Sequence, residues 1–107
     1  YENNGLPFIV ATENDTWQSI AKEFGLYTFQ VATQNDLTRR DAVPVGRIIY
    51  LEPKKKRGAS LYHKTEKWDS MYSISQQYGI KLKWLYQFNK LVPGDEPNPG
   101  TAVRLTY

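Results

Sequence analysis

The acidic residues are the first candidates for hydrolytic chemistry in this sequence. Two aspartates recur in its second half, Asp15 as Asp69 and Asp41 as Asp95. Hydrolysis of a glycosidic bond needs two carboxyl groups about 5 to 9 Å apart across a cleft that grips the sugar. The recurring aspartates stand in helix-capping or turn contexts, and segments of about 45 residues are too small to enclose such a cleft. The acids therefore do not predict a glycosidase.

His63 is the single histidine, and it lies in a strand-like segment. The chain has no cysteine, so neither a thiolate nor a second histidine can complete a zinc site or a nucleophilic triad. No disulfide framework can form either. We therefore predict that His63 is a surface strand residue, that the chain binds no metal or other cofactor, and that it is not an enzyme.

Aromatic side chains are abundant, with eight Tyr, four Phe and three Trp. Such rings can stack on sugars, but small cores use them as well, so their positions decide. Trp17 falls on the apolar face of a predicted helix, which indicates the core. Trp68 interrupts a polar loop, which leaves sugar stacking and packing between repeats as alternatives. Trp84 stands at a usually solvent-facing helix position, and it can pack against the other repeat or against a neighbouring domain.

An internal repeat relates the two halves of the chain. Adding 54 to a residue number reaches an equivalent residue without gaps, which indicates a duplication. Beyond the two aspartate pairs, the identical pairs are Ser19 and Ser73, Ile20 and Ile74, Gly25 and Gly79, Asn35 and Asn89, Leu37 and Leu91, Gly46 and Gly100, and Leu51 and Leu105.

Each copy predicts the order strand, helix, helix, strand. Residues 8–11 form a β-prone run, and apolar residues at helical spacing then follow Asp15 or Thr16 as a cap. Gly25 ends this helix, a second short helix follows, and a loop leads to the closing strand at 48–51. The predicted fold is α+β, with two tandem βααβ units. Each unit has a two-stranded antiparallel sheet with both helices packed on one face, and the first helices start near Asp15 and Asp69.

The predicted boundaries are repeat 1 at 6–53, a basic linker at 54–60 and repeat 2 at 61–107. Residues 1–53 carry four basic and seven acidic residues, a net charge of −3, whereas the run from Lys54 to Arg57 contributes +4. Such a run predicts a solvated linker, with attraction to an anionic polymer as the alternative. The basic residues do not follow one helical face, so no nucleic acid is predicted. No apolar run is long enough for a membrane span.

The motifs resemble the LysM domain family, whose pattern runs Gly-Asp-Thr, Leu-x-Ser-Ile-Ala-x-x-Tyr-Gly and Leu-x-x-x-Asn. Residues 14–25 read Asn-Asp-Thr-Trp-Gln-Ser-Ile-Ala-Lys-Glu-Phe-Gly, residues 69–79 read Asp-Ser-Met-Tyr-Ser-Ile-Ser-Gln-Gln-Tyr-Gly, and residues 85–89 read Leu-Tyr-Gln-Phe-Asn. The resemblance covers nearly the whole chain. The Lys-rich linker adds a similarity to the C-terminal part of cell-wall glucosaminidases from Bacteroidetes-type bacteria. Because the sequence begins at Tyr1 without a signal peptide, we expect it to be a piece of a larger protein.

The resemblance implies a non-catalytic, monomeric module that binds N-acetylglucosamine-containing glycans, namely peptidoglycan and also chitin. It would anchor an attached cell-wall hydrolase in the cell envelope or outside the cell, in the periplasm if the source is Gram-negative. The family holds the sugar in a shallow groove between two loops. Carried over to this sequence, the groove residues are Asn14, Asp15, Thr16, Trp17, Asp36, Leu37, Thr38 and Arg39 in repeat 1, and Trp68, Asp69, Ser70, Met71, Lys90, Leu91, Val92 and Pro93 in repeat 2.

Several positions depart from the family pattern or have structural interpretations. Asn14 and Trp68 replace the family glycine, and repeat 1 also carries the polar residues Gln18 and Thr28. An alternative is therefore a protein-interaction or spacer module whose glycan grooves have decayed. Structural roles are also predicted for two residue pairs: Asp15 and Asp69 as helix caps, and Asn35 and Asn89 as partners of local backbone.

Overall fold

The computed structural model, which describes residues 1–106, has the order of elements that each copy of the repeat predicts. The chain divides into unit 1 (Tyr1–Lys54) and unit 2 (Lys55–Tyr107). Unit 1 contains β1 (Glu2–Asn3), β2 (Leu6–Val10), α1 (Trp17–Phe24), α2 (Thr28–Gln34) and β3 (Ile48–Tyr50). Unit 2 contains β4 (Tyr62–Lys64), α3 (Met71–Tyr78), α4 (Leu82–Phe88) and β5 (Ala102–Arg104). Two tandem βααβ units of the α+β class are thus confirmed.

Each unit has its own antiparallel sheet. In unit 1, Ile9 on β2 pairs with Ile49 on β3, and in unit 2, His63 on β4 pairs with Val103 on β5. Strand β1 extends the sheet of unit 1 to three strands in the order β1-β2-β3, which the repeat did not predict. It is joined to β2 by Asn4 and Gly5, both with positive φ (56° and 76°), as a tight hairpin turn requires.

The first helix of each unit begins at a hydroxyl cap. Thr16 Oγ1 accepts a hydrogen bond from Ser19 N, and Ser19 Oγ accepts one from Thr16 N, which forms a capping box. Ser70 and Ser73 repeat this arrangement at the start of α3. The prediction that Asp15 and Asp69 cap these helices is wrong, because the residue after each aspartate occupies the cap position. Both helices end at a left-handed glycine, as predicted.

Each unit has a separate apolar core. In unit 1, Trp17 is 5% exposed and packs with Ile20, Val31 and Ile49, so the predicted core position is confirmed. In unit 2, Met71 takes the equivalent position, with no exposed surface. Trp84 is half-buried against this second core, and the ammonium groups of Lys56 and Lys83 lie 4.4 and 5.1 Å from its ring centroid. The side chain that the sequence left unplaced thus packs on its own unit.

Two asparagines tie the second helix of each unit to its last strand. Asn35 Nδ2 donates to Val31 O and Tyr50 O, and Asn35 Oδ1 accepts from Tyr50 N at 2.7 Å. Asn89 makes the same three bonds to Leu85 and Arg104 in unit 2. The prediction that both bond backbone is therefore confirmed.

The basic segment is not a solvated linker along its whole length. Lys54 is 4% exposed and lies inside unit 1. The backbone of Lys55 accepts from Lys81 N at 2.8 Å and donates to Gly79 O at 2.7 Å. Gly58 N donates to Leu105 O at 2.7 Å, and a Cβ on Gly58 would stand 3.1 Å from Ile80 Cδ1. The side chains of Lys55, Lys56 and Arg57 are exposed, so the expectation of a solvated segment fails only at Lys54 and at the paired backbone, neither of which the charge pattern reports.

Candidate functional site

Two loops lie side by side in each unit. The first loop joins β2 to α1 in unit 1 (residues 11–16) and β4 to α3 in unit 2 (residues 65–70). The second loop joins the second helix to the last strand (35–47 and 89–101). In unit 1, Ala11 exchanges backbone bonds with Gly46 (2.8 Å) and Arg47 (3.0 Å), and in unit 2, Thr65 does so with Gly100 and Thr101 (2.8 Å each). Strand pairing thus continues into the loops and holds their bases together.

The four recurring aspartates shape these loops. In unit 1, Asp15 Oδ2 accepts from Thr12 N and Asp41 Oδ2 accepts from Thr38 N, both at 2.8 Å. In unit 2, Asp69 Oδ2 accepts from Glu66 N at 2.9 Å, and Asp95 Oδ2 accepts from Val92 N at 3.0 Å. Each carboxylate therefore holds a four-residue turn, since it accepts from the backbone amide three residues earlier. Their recurrence at equivalent positions is explained by loop shape.

In unit 1, the predicted groove residues are divided between surface and interior. Trp17 is buried, and its Nε1 crosses to the second loop to donate to Asp41 O at 2.9 Å. An open depression on the second loop is lined by Thr38, Arg39 and Arg40. Of the remaining predicted residues, Asn14 and Thr16 are exposed, whereas Asp15, Asp36 and Leu37 are half-buried.

In unit 2, Trp68 is 74% exposed and lies in the first loop. Met71 is buried at the start of α3, and its backbone amide donates to Glu96 Oε1 of the second loop at 2.7 Å. The other predicted residues form the loop walls. Lys90, Val92 and Pro93 are exposed, and Asp69, Ser70 and Leu91 are half-buried.

Asp36 is engaged by a residue that the sequence placed in the linker. Lys54 Nζ lies 2.6 Å from Asp36 Oδ2, with the Lys54 side chain fully buried. Asp36 also adopts a left-handed backbone (φ 59°), as does its equivalent Lys90 (φ 55°). The Asp36 carboxylate therefore already has a buried cationic partner, although its assignment to the groove stays a prediction.

His63 is not the surface residue that the sequence predicted. Its ring is half-buried, with Nε2 2.8 Å from Asp69 Oδ2 and Nδ1 2.8 Å from the Tyr78 hydroxyl. In the neutral form with the proton on Nε2, the imidazole donates to Asp69 and accepts from Tyr78, and in the cationic form it donates to both. Unit 1 has Ile9, Asp15 and Phe24 at the equivalent positions, so this chain of polar contacts belongs to unit 2. His63 thus supports the first loop of unit 2 from inside.

The two partners of His63 have shifted pKa values. Burial raises the pKa of the Asp69 carboxyl, but the hydrogen bonds from Glu66 N and His63 and the charge of His63 outweigh it, so the net pKa lies below its usual value. Burial, and then the negative charge of Asp69, raises the pKa of the Tyr78 hydroxyl. A carboxyl group with a lowered pKa favours the folded state while it is ionised.

Unit 2 is therefore expected to lose stability as the pH falls below about 4, through the lowered pKa of Asp69. Above the unfolded-state pKa this contribution is fully present. Denaturant unfolding between pH 2 and 7, followed through the backbone amide signals of unit 2, measures it. Asp69→Asn cannot titrate, so its stability should vary less over this range. An equally steep acid loss in this variant would assign the effect to other carboxyl groups.

Sequence reasoning missed three residues of the site: Glu96, Lys54 and His63. Glu96 could have been noticed in the sequence, because it is a charged residue at a position where the first copy of the repeat has the uncharged Ala42. His63 likewise replaces Ile9, so a titratable group stands where the first copy has an apolar one. Lys54 has no such signal, since it looks like its exposed neighbours.

Within residues 1–106, no group of three or more His, Cys, Asp or Glu side chains is arranged to hold a metal ion. Over the same residues, none of the helices has the length and apolar character needed to cross a bilayer.

The model of the LysM domain family matches residues 9–51 and 63–106. No curated protein matches the chain. Similar structures include the spore cortex-lytic enzyme SleL of Bacillus cereus (21% identity, TM-score 0.41) and that of Bacillus megaterium QM B1551 (15% identity, TM-score 0.41). The matches cover 94% and 92% of this chain but only 22% of each SleL chain.

Proposed function

The chain belongs to the LysM domain family and carries two copies of the domain in tandem, and we propose that it anchors an attached cell-wall hydrolase to peptidoglycan. Family membership implies a non-catalytic module that binds N-acetylglucosamine-containing glycans, and it indicates a cell-wall-associated or extracellular protein. We propose in addition that the attached protein is a hydrolase, that peptidoglycan is the preferred glycan, and that the groove residues named above contact it.

The pairing of the two loops is the observation that supports this proposal. In each unit, backbone bonds at the loop bases place the polar turns held by the recurring aspartates next to a buried apolar residue, Trp17 or Met71. A 2-acetamido group offers a carbonyl oxygen, an N–H and a methyl group. Loop backbone can bond the first two in both directions, and the half-buried Leu37 or Leu91 of the second loop can offer an apolar surface to the third.

Titration with N-acetylglucosamine oligomers, followed through backbone amide signals of the full chain, tests the function. We expect shifts around Asn14 and Leu37 in unit 1 and around Trp68 and Leu91 in unit 2. The wild-type chain should bind insoluble peptidoglycan more strongly than a variant in which one of the two sites is inactivated. Two linked sites bind more strongly because binding at one raises the effective concentration of glycan at the other. Shifts confined to 54–57 would indicate charge attraction instead. No shift and no retention on peptidoglycan would favour a spacer module with decayed grooves.

Trp68→Ala is expected to weaken glycan binding by about 1–2 kcal/mol, because truncation of an aromatic hot spot usually costs more than about 1 kcal/mol. The exposed ring has little packing to lose, so the melting temperature should stay nearly unchanged. Calorimetric titration and thermal melts measure the two effects. Tyr27→Ala is the matched control, since Tyr27 is 72% exposed but lies between α1 and α2, outside the loops. Earlier melting of Trp68→Ala with binding intact would show that the ring is structural.

A further inference from the structure

The candidate grooves of the two units differ in one contact that crosses them. In unit 2, Glu96 of the second loop reaches the start of α3, where its Oε1 accepts from the Met71 amide at 2.7 Å. The repeat places Ala42 at this position of unit 1, and Trp17 at the position of Met71. A methyl group cannot accept a hydrogen bond, so unit 1 lacks the means to make this contact.

The Glu96 carboxylate presents the same chemistry to the Met71 amide that a 2-acetamido sugar would present. Both groups offer an sp² oxygen to a backbone N–H, but the carboxylate is charged, and charge-assisted hydrogen bonds are shorter and stronger than neutral ones. Glu96 itself is exposed, and its carboxylate has no other polar contact among residues 1–106. It can therefore leave the amide without abandoning another hydrogen bond.

We infer that Glu96 is an internal competitor for glycan binding in unit 2. Its carboxylate occupies the Met71 amide, and a 2-acetamido sugar must displace it, whereas unit 1, with Ala42, binds without this step. The two sites of the tandem are then unequal, with unit 1 the tighter one. This inference rests on the proposed glycan-binding function and concerns the regulation of the same groove.

A purely structural role for Glu96 makes a different prediction. Met71 is the first residue of α3, and its amide has no acceptor inside the helix, so Glu96 also satisfies that amide. If this were its whole role, removal of the carboxylate would loosen α3 and leave glycan affinity unchanged or lower. An internal competitor behaves in the opposite way, because its removal raises the affinity of unit 2.

The experiment is a residue-resolved amide titration of the full chain with the N-acetylglucosamine tetramer. In the wild type, the loops of unit 1 should saturate at lower concentration than those of unit 2. In Glu96→Ala, the affinity of unit 2 should rise about threefold to tenfold, the range for a competing hydrogen bond of ordinary net strength. Glu96→Gln keeps the acceptor oxygen without the charge and should give a smaller rise. Unit 1 should be unchanged in both variants.

The reciprocal variant Ala42→Glu transplants the carboxylate into unit 1 and should weaken that unit by a similar factor, with unit 2 as its control. Well-dispersed amide signals of both units show that each variant is folded. Unchanged or weaker binding by unit 2 in Glu96→Ala, while unit 1 still binds, overturns the inference and leaves the proposed function in place. If neither unit of the wild type binds the tetramer, the proposed function is overturned, and the inference with it.

Discussion

Trp17→Ala is expected to destabilise unit 1 by about 3–5 kcal/mol, because it leaves a cavity in the core. The surrounding residues can fill this cavity only in part. The substitution also removes the bond from Trp17 Nε1 to Asp41 O, which joins the two loops of the unit. A unit of this size, with no disulfide to support it, has only a few kcal/mol of stability in reserve. We therefore expect unit 1 to be largely unfolded at room temperature.

Amide hydrogen exchange, measured residue by residue on the full chain, shows whether unit 1 is unfolded in Trp17→Ala. Unit 1 should lose protection along α1, α2 and β3, whereas unit 2, which has its own core, should keep it. Trp17→Phe is the matched control, because it retains an aromatic ring but lacks the indole N–H, and its cost should be smaller. Native-like protection of unit 1 in Trp17→Ala would contradict the assignment of this ring to the core.

The second large effect is expected at the buried ion pair of unit 1. Asp36→Asn removes the charge that lies 2.6 Å from the buried Lys54 ammonium group and should cost about 3 kcal/mol, because removal of one partner of a buried ion pair is strongly destabilising. Asparagine tolerates the left-handed backbone at this position, so the substitution adds little backbone strain. Urea unfolding of the variant and the wild type measures the difference.

Lys54→Met, alone and combined with Asp36→Asn, completes a double-mutant cycle. Replacement of the ammonium group by an apolar side chain removes the buried charge, so the double variant should be more stable than Asp36→Asn alone. Additive effects of the two substitutions would show that the two groups do not interact. Because Asp36 belongs to the predicted groove, glycan titration of Lys54→Met also reports whether a released carboxylate changes binding.

These predictions depend on the sequence and on the structure to different degrees. The burial of Trp17 was predictable, because the spacing of apolar residues along a helix is a local pattern. Gly25 and Gly79 were likewise recognisable as helix ends, since the left-handed conformation favours glycine. Because the two copies align without gaps, each such prediction for one unit also applied to the equivalent residue of the other.

Local chemistry was less decisive where two adjacent residues are both good caps. Asp15 and Thr16 can each accept the hydrogen bonds of a helix start. The structure assigns the cap to Thr16 and gives Asp15 to a turn with Thr12. The same division recurs at Asp69 and Ser70, where the loop conformation selects between them.

The duplication, the family, the two cores and the order of the elements other than β1 could therefore be predicted from the amino-acid sequence. Which charged and polar side chains meet across long stretches of the chain became clear only from the fold. Asp36 finds Lys54 18 residues away, His63 finds Tyr78 15 residues away, and Met71 finds Glu96 25 residues away. Periodicity and capping act over a few residues and leave a pattern in the sequence. Contacts at longer separation depend on how the loops and helices pack, which no local pattern specifies.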